Sequence, residues 1–201
     1  QRVKTMTRRS IRVSSYVMWP MMIGLAVVAE PVISLLLTDK WLESVPFLRI
    51  FCIIFAFQPI QTANLNAIKA MGRSDLFLKL EIIKKTIGLI ILLIAMRFGV
   101  FAIAASLLVY NVIAQILNSS PNWKLLGYTY FEQLKDIFTY IMLSCLMAGI
   151  IYPISFLGLA DIFTLILQIV VGAIVYLVCS KIFKVEAFYY ILNTVKNFKK
   201  K

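Results

Sequence analysis

The polar side chains best placed to contact a ligand lie in one apolar segment, residues 46–70. Amide, hydroxyl and ammonium groups recur there at helical spacing, and at 100° per residue they fall within an arc of about 140°. The members of this polar stripe are Gln58, Gln61, Thr62, Asn66 and Lys69, whereas Asn64 falls outside the arc. These groups donate and accept hydrogen bonds but form no nucleophile–base pair. The stripe therefore predicts recognition of a polar substrate.

The polar stripe sits in a segment that is long enough to cross a membrane, and this limits what can surround it. Unpaired polar groups are costly in hydrocarbon, so the stripe is expected to face protein or a water-filled cavity. Pro59 removes a helix hydrogen bond and is expected to kink the helix there. A kinked, polar helix suits a substrate path, while the alternative is hydrogen bonding that only holds neighbouring helices together.

A second, weaker polar face is predicted in residues 99–118. Asn111, Gln115 and Asn118 are spaced i, i+4 and i+7, so they share one side of a helix. They are candidates for the same substrate path. The alternative is packing between helices combined with a polar helix end.

Glu30 and Arg49 are charged residues placed inside apolar segments. Glu30 lies eight residues before the end of its segment, roughly 12 Å deep at about 1.5 Å per residue. Buried charges in membranes usually pair or line a pathway. We expect either a Glu30–Arg49 ion pair between neighbouring helices or a contact of Arg49 with an anionic substrate.

The composition argues against an enzyme. The chain has no histidine and only nine acidic residues, which removes Ser–His and Cys–His pairs and a histidine base. No paired carboxylates and no glycine-rich phosphate loop occur at useful spacing. Cys52, Cys145 and Cys179 show no metal-ligand pattern. We expect no catalytic residue, no metal and no cofactor.

Six apolar segments predict an all-α integral membrane protein with a single membrane domain, because about 20 apolar residues suffice to cross a bilayer. The predicted spans are about 14–38, 46–70, 78–96, 99–118, 134–157 and 161–181. Residues 1–15 are predicted as a charged loop and 118–132 as the longest internal loop. Residues 184–201 are predicted as an amphipathic basic tail helix on the inner membrane surface, with a frayed basic tail as the alternative.

The basic residues fall almost entirely on alternate sides of these segments. Of the 21 lysines and arginines, only Lys40, Arg49 and Arg97 belong to the other side. Since cytoplasmic loops carry the excess of Lys and Arg, both termini are predicted to be cytoplasmic. The net charge of +12 follows from this sidedness, so no nucleic-acid partner is expected.

Several runs of residues resemble the polysaccharide flippases. They are EPVISLLLTDKW (30–41), PFLR (46–49), Pro59-Ile60 with Asn64 and Asn66, AMGRSD (70–75) and LKLEIIKK (78–85). The flippases belong to the superfamily of multidrug, oligosaccharidyl-lipid and polysaccharide exporters. The clear resemblance covers about residues 16–90, and the remainder agrees in topology.

The resemblance implies a fold of fourteen helices in two lobes, of which this chain would supply the last six in the bacterial inner membrane. It implies translocation of an undecaprenyl-diphosphate glycan, such as an O-antigen or capsule unit, by alternating access. Arg49 would then contact the anion and the Gln58–Lys69 stripe the headgroup. The expected partners are membrane lipid, the lipid-linked oligosaccharide, the missing N-terminal half, and a glycan polymerase and glycosyltransferases.

Three rival functions remain at this point. A multidrug exporter of the same superfamily would use an uncompensated intramembrane acid, for which Glu30 is the candidate. A membrane-bound glycan polymerase or acyltransferase would need paired catalytic groups facing one leaflet. A truncated chain without transport activity is the third.

Overall fold

The computed structural model describes residues 1–198, and within them it is helical with no β-strand. The α-helices are α1 (Arg2–Val27), α2 (Ala29–Leu37), α3 (Val45–Ala56), α4 (Gln58–Ala70), α5 (Ser74–Ala95), α6 (Val100–Leu126), α7 (Tyr130–Ile151), α8 (Asp161–Ile182) and α9 (Glu186–Phe198). Short 3-10 turns cover Asp39–Ser44, Met96–Phe98 and Tyr152–Leu157. Lys199, Lys200 and Lys201 of the predicted tail lie outside the described residues, as do the side chains of Val195 and Phe198.

Within residues 1–198, five helical stretches are long and apolar enough to cross a membrane, as expected of a multi-pass membrane protein. They are Arg2–Val27, Asp39–Ala70, Val100–Leu126, Tyr130–Leu157 and Asp161–Ile182. Helix α5 is 22 residues long but is not among them. Its first twelve residues carry Lys79, Glu81, Lys84 and Lys85, which leaves only residues 86–95 free of charge.

The predicted charged loop over residues 1–15 is wrong, because α1 begins at Arg2. One side of this N-terminal part is buried, at Thr7, Ile11 and Ser15. Helix α1 packs most extensively on α7. The arginines of this stretch made it resemble a solvated loop. It is helical because its apolar and small residues pack on one side against the rest of the bundle.

Prolines divide the first two crossings into pieces. Pro31 lies in the first turn of α2. It has no N–H to donate to the carbonyl four residues earlier, so α1 does not continue past Val28. Inside α1, Pro20 likewise leaves the carbonyl of Tyr16 without its helical donor. The Tyr176 hydroxyl donates to that carbonyl at 2.8 Å, which fastens α8 to α1.

The predicted loop over 118–132 is also wrong. Helix α6 continues through Pro121 to Leu126, and only Gly127–Thr129 separate it from α7. Gly127 ends α6 with φ of 60°, a backbone conformation that glycine adopts without steric cost. Thr129 then caps α7, since its hydroxyl accepts from Glu132 N–H at 3.2 Å.

The helix ends define two ends of the bundle. The basic end contains the starts of α1 and α7 and the ends of α4, α6 and α8. Here Lys4 Nζ donates to the Gly127 carbonyl at 2.6 Å, which joins the start of α1 to the end of α6. The opposite end holds the α2–α3 and α5–α6 turns, where the Phe47 and Phe101 rings are 6.0 Å apart. Between the two ends, α1 packs on α3, α4 and α7, and α6 packs on α4 and α5.

Candidate functional site

Helix α4 carries the polar stripe and is separated from α3 by a break at Phe57. Pro59 lies in the first turn of α4, where its missing N–H is tolerated. The break is therefore located beside the proline, as predicted. Trp19 of α1 packs edge-on against Phe57, with ring centroids 4.9 Å apart, and fixes α1 at this break.

The outward side of α4 is polar and exposed. Gln58, Thr62, Asn66 and Lys69 are all exposed, whereas Ile60, Ala63, Ala67 and Ile68 on the other side are buried. Lys69 Nζ lies 4.5 Å from the centre of the Phe77 ring, and the other three make no side-chain hydrogen bond within the described residues. The structure thus brings these four stripe residues together on one open face, which we call the open polar face.

The remaining predicted amides are engaged inside the bundle. Gln61 donates from Nε2 to Asn111 Oδ1 at 2.8 Å, which joins α4 to α6. Gln115 is buried and accepts from the Tyr130 hydroxyl at 3.0 Å, which joins α6 to α7. Asn111 also donates to the Leu107 carbonyl within its own helix. Gln61, Asn111 and Gln115 therefore hold helices together and are not part of the open polar face.

A buried amide cluster, formed by Asn64, Ser119, Asn122 and Gln133, joins α4, α6 and α7. Asn64 donates to Gln133 Oε1 at 2.7 Å and accepts from Asn122 Nδ2 at 2.7 Å. Ser119 donates to Gln133 Oε1 at 3.2 Å. Each of the four residues is at most 1% exposed, so their hydrogen-bond partners must come from the protein.

Sequence reasoning missed this buried amide cluster for a specific reason. Asn64 falls outside the arc of the polar stripe, and this position points it into the bundle. Asn122 lies in a stretch predicted as a loop, so its pairing with a helix was not anticipated. The spacing of Asn118, Ser119 and Asn122 at i, i+1 and i+4 was the available signal. Asn118 is fully buried as well, and its amide has no partner within residues 1–198.

Glu30 and Arg49 form an ion pair at the opposite end. Arg49 Nη2 lies 3.0 Å from Glu30 Oε1, and Arg49 Nε donates to the Ala26 carbonyl at 3.2 Å. The Glu30 side chain is 62% exposed and the Arg49 side chain 43%, so water screens the pair. A cavity of about 360 Å³ lies beside the pair and is also lined by Ser34, Asp39 and Asp161. Arg49 is therefore already paired within this chain.

An apolar groove runs between α1–α2 and α7–α8. It has a volume of about 580 Å³, and its lining is almost entirely apolar. Pro20, Met21 and Val28 form one wall, and Met147 and Gly172 lie on the other. A groove of this lining accommodates hydrocarbon and excludes charged groups.

Asp136 is the centre of an ion cluster at the basic end. Its carboxylate lies 2.6 Å from Arg8 Nε and 2.7 Å from Arg12 Nη2, and its side chain is only 4% exposed. The Tyr128 hydroxyl donates to Asp136 Oδ2 at 2.8 Å. Burial raises the pKa of Tyr128 above its ordinary value, so the hydroxyl stays protonated and keeps donating. This Asp136 cluster ties α1 to α7 and to the α6–α7 turn.

A family model described as "Polysaccharide biosynthesis protein" matches residues 1–46. Over these residues the chain is similar to polysaccharide biosynthesis proteins. The match covers α1 and α2 and includes the EPVISLLLTDKW run. No curated protein and no solved structure matches the chain. The family match points to a role in polysaccharide synthesis or transport.

Proposed function

We propose that this chain is the C-terminal part of a flippase that moves lipid-linked oligosaccharide from the cytoplasmic to the outer leaflet of the bacterial inner membrane. It would provide six crossings, with α5 as the third, of a fourteen-helix, two-lobe transporter working by alternating access. The glycan would be an O-antigen, capsule or related unit carried on a prenyl diphosphate. No covalent chemistry is required of the chain.

The open polar face of α4 is the observation that carries this proposal. Gln58, Thr62, Asn66 and Lys69 lie on a helix within an apolar stretch, and none of them is covered by the described residues. Unpaired polar groups of this kind are costly in the hydrocarbon of a bilayer. The face therefore suits a water-filled path in which sugar hydroxyls and a diphosphate exchange hydrogen bonds with the protein. The second lobe of the transporter would form the other wall.

Other features support a lipid-linked substrate. The apolar groove between α1–α2 and α7–α8 suits a hydrocarbon chain, while the open polar face suits a glycan. The family match adds polysaccharide biosynthesis. The Glu30–Arg49 pair argues against the multidrug-exporter alternative, because the acid expected to bind a cationic drug already has a partner.

Water access to the open polar face can be measured by cysteine labelling. We would replace the three native cysteines, introduce Thr62→Cys or the control Thr86→Cys, and add a membrane-impermeant maleimide. Thr86 is also exposed, but it lies in the apolar half of α5. We expect fast labelling at position 62 and slow labelling at position 86. Equally slow labelling would mean that lipid or protein covers the face.

Transport is tested in cells that lack the coding region for this chain. Surface polysaccharide should fall, and lipid-linked units should accumulate in the inner leaflet. The wild-type chain and Thr86→Val should restore export, whereas Thr62→Val combined with Asn66→Leu should not. Normal surface polysaccharide in the deletion strain would contradict the proposed function. Restoration by the double variant would instead contradict only the role of the open polar face.

A further inference from the structure

We propose that a groove between α1 and α9 binds the phosphate headgroup of an anionic phospholipid. The proposal rests on the predicted cytoplasmic location of both termini, which places the basic end at the inner leaflet. It does not depend on what the chain transports. The features behind it are the lining of the groove, its surplus of charge and its place along α1.

The groove has a volume of about 420 Å³ and is lined on the α1 side by Thr5, Arg8, Arg9, Arg12 and Val13. Glu186, Ala187 and Tyr190 of α9 line the other side. The Arg9 guanidinium lies over the Tyr190 ring, with its central carbon 3.7 Å from the ring centre. Stacking leaves the in-plane N–H groups of a guanidinium free to donate, and their fork matches two oxygens of a phosphate.

The charges around the groove do not cancel. Arg12 is held by Glu186 at 2.6 Å and by Asp136, and Arg8 is held by Asp136. Three guanidinium groups thus face two carboxylates. Within residues 1–198, Arg9 makes no ion pair. The surplus of one positive charge sits on an exposed, oriented arginine, which matches the single negative charge of a phosphodiester.

The position of the groove favours a lipid over free phosphate. Arg8 and Arg9 lie at one end and Val13 at the other, where α1 passes from its basic turns into its apolar part. Helix α9 lies across this boundary, with Ala187 buried and Phe188 and Ile191 packed on the core. A headgroup held by Arg9 would place its acyl chains along the exposed Val17 side of α1. Interfacial tyrosines such as Tyr190 occupy this level in membranes.

Native mass spectrometry tests the site on the purified full chain. The protein in detergent would be mixed with equal amounts of phosphatidylglycerol and phosphatidylcholine, and the ratio of the two bound lipids would be measured. Loss of one basic contact near an anionic headgroup is expected to lower binding about fivefold. Arg9→Gln should lower the phosphatidylglycerol adduct by that factor, whereas Glu186→Gln should raise it.

The matched control is Lys124→Gln, which removes one exposed positive charge from the same end but outside the groove. It should leave the lipid ratio unchanged. Equal losses in Arg9→Gln and Lys124→Gln would overturn the site and leave only general attraction. Displacement of the lipid by millimolar inorganic phosphate would show that the groove binds phosphate as such, which would also overturn the proposal. Persistence of the adduct in phosphate supports it.

Discussion

Asn64 and Asn66 lie two residues apart on α4 and have opposite surroundings. Asn64 is fully buried and contributes its side chain to four cross-helix hydrogen bonds within the buried amide cluster. Asn66 is exposed on the open polar face. The same side chain therefore serves stability at one position and is proposed to serve substrate contact at the other.

Replacing each asparagine by leucine should separate these roles. Asn64→Leu removes four side-chain hydrogen bonds with Ser119, Asn122 and Gln133 in a buried site, which is expected to lower the free energy of unfolding by about 1–3 kcal/mol. Asn66→Leu should leave the free energy of unfolding nearly unchanged. Denaturant unfolding of both variants in the same detergent provides the measurement. A comparable loss of stability in both would contradict the assignment of Asn66 to an open face.

The Glu30–Arg49 pair is expected to contribute little to stability because both side chains are substantially exposed. Glu30→Gln should change the free energy of unfolding by less than about 1 kcal/mol. Exchanging the two charges should retain polysaccharide export if the pair only links helices. Loss of export in the exchanged variant and in both single variants would instead assign Arg49 to an anionic substrate.

At the scale of elements, proline determines where helices join. Pro20 frees the Tyr16 carbonyl, and Tyr176 of α8 uses it. Tyr16 in turn donates its hydroxyl to Ser180 at 3.1 Å. The rings of Tyr16 and Tyr176 are 5.1 Å apart, so the hydrogen bonds are enclosed by aromatic packing. The proline and the tyrosine therefore function as a unit across two helices.

A double-mutant cycle tests that unit. Tyr176→Phe removes the donor and should lower the free energy of unfolding by about 0.5–1.5 kcal/mol. In the background of Pro20→Ala, which restores a helical N–H to the Tyr16 carbonyl, Tyr176→Phe should have a smaller effect. Tyr152→Phe, on an exposed tyrosine, is the control. Strict additivity of Pro20→Ala and Tyr176→Phe would show that the two residues are not coupled.

The sequence predicted which segments are helical better than it predicted where the helices end or which residues they contact. Hydrophobic length alone indicates helices in all six segments, because a membrane span must satisfy its own backbone. The N-terminal turns of α1 and the last two turns of α6 were missed. Both are polar stretches whose side chains have partners distant in sequence, namely Asp136 for Arg8 and Asn64 for Asn122. Tertiary partners of that kind leave no periodic signal in a local window.

The site was predictable to a similar degree. Helical spacing grouped the polar residues of α4 correctly, since Gln58, Thr62, Asn66 and Lys69 do share an exposed face. The same spacing did not distinguish Gln61, which bonds to Asn111, from its neighbours. A residue at the edge of an arc faces either a neighbouring helix or open space, and only the packing of α6 decides between them.

At the scale of the whole molecule, the crossing of α5 determines the topology. Its apolar half is short, and the Glu81–Lys84 ion pair lies in its first half with Lys84 buried. If α5 crosses, the chain has six crossings and both termini lie on one side. If α5 did not cross, five crossings would place the termini on opposite sides, whereas the Arg12–Glu186 ion pair holds the N-terminal turns of α1 and the start of α9 at the same end.

Alkaline phosphatase fusions decide between these topologies, since the enzyme is active only outside the cytoplasm. A fusion after Met71 should be inactive and a fusion after Phe98 active. A fusion after Phe183 should be inactive again. Inactivity at both Met71 and Phe98 would mean that α5 returns without crossing, and the proposed six-crossing arrangement would then be wrong.

The two ends of the bundle differ in how firmly their helices are joined. The buried amide cluster and the Asp136 cluster lie at the basic end, where they connect α1, α4, α6 and α7 through short, buried bonds. At the opposite end, α2 and α3 are joined by the solvent-screened Glu30–Arg49 ion pair. The bundle is therefore joined more firmly at the basic end than at the opposite end. Helices that move apart would pivot about the basic end and separate at the opposite end.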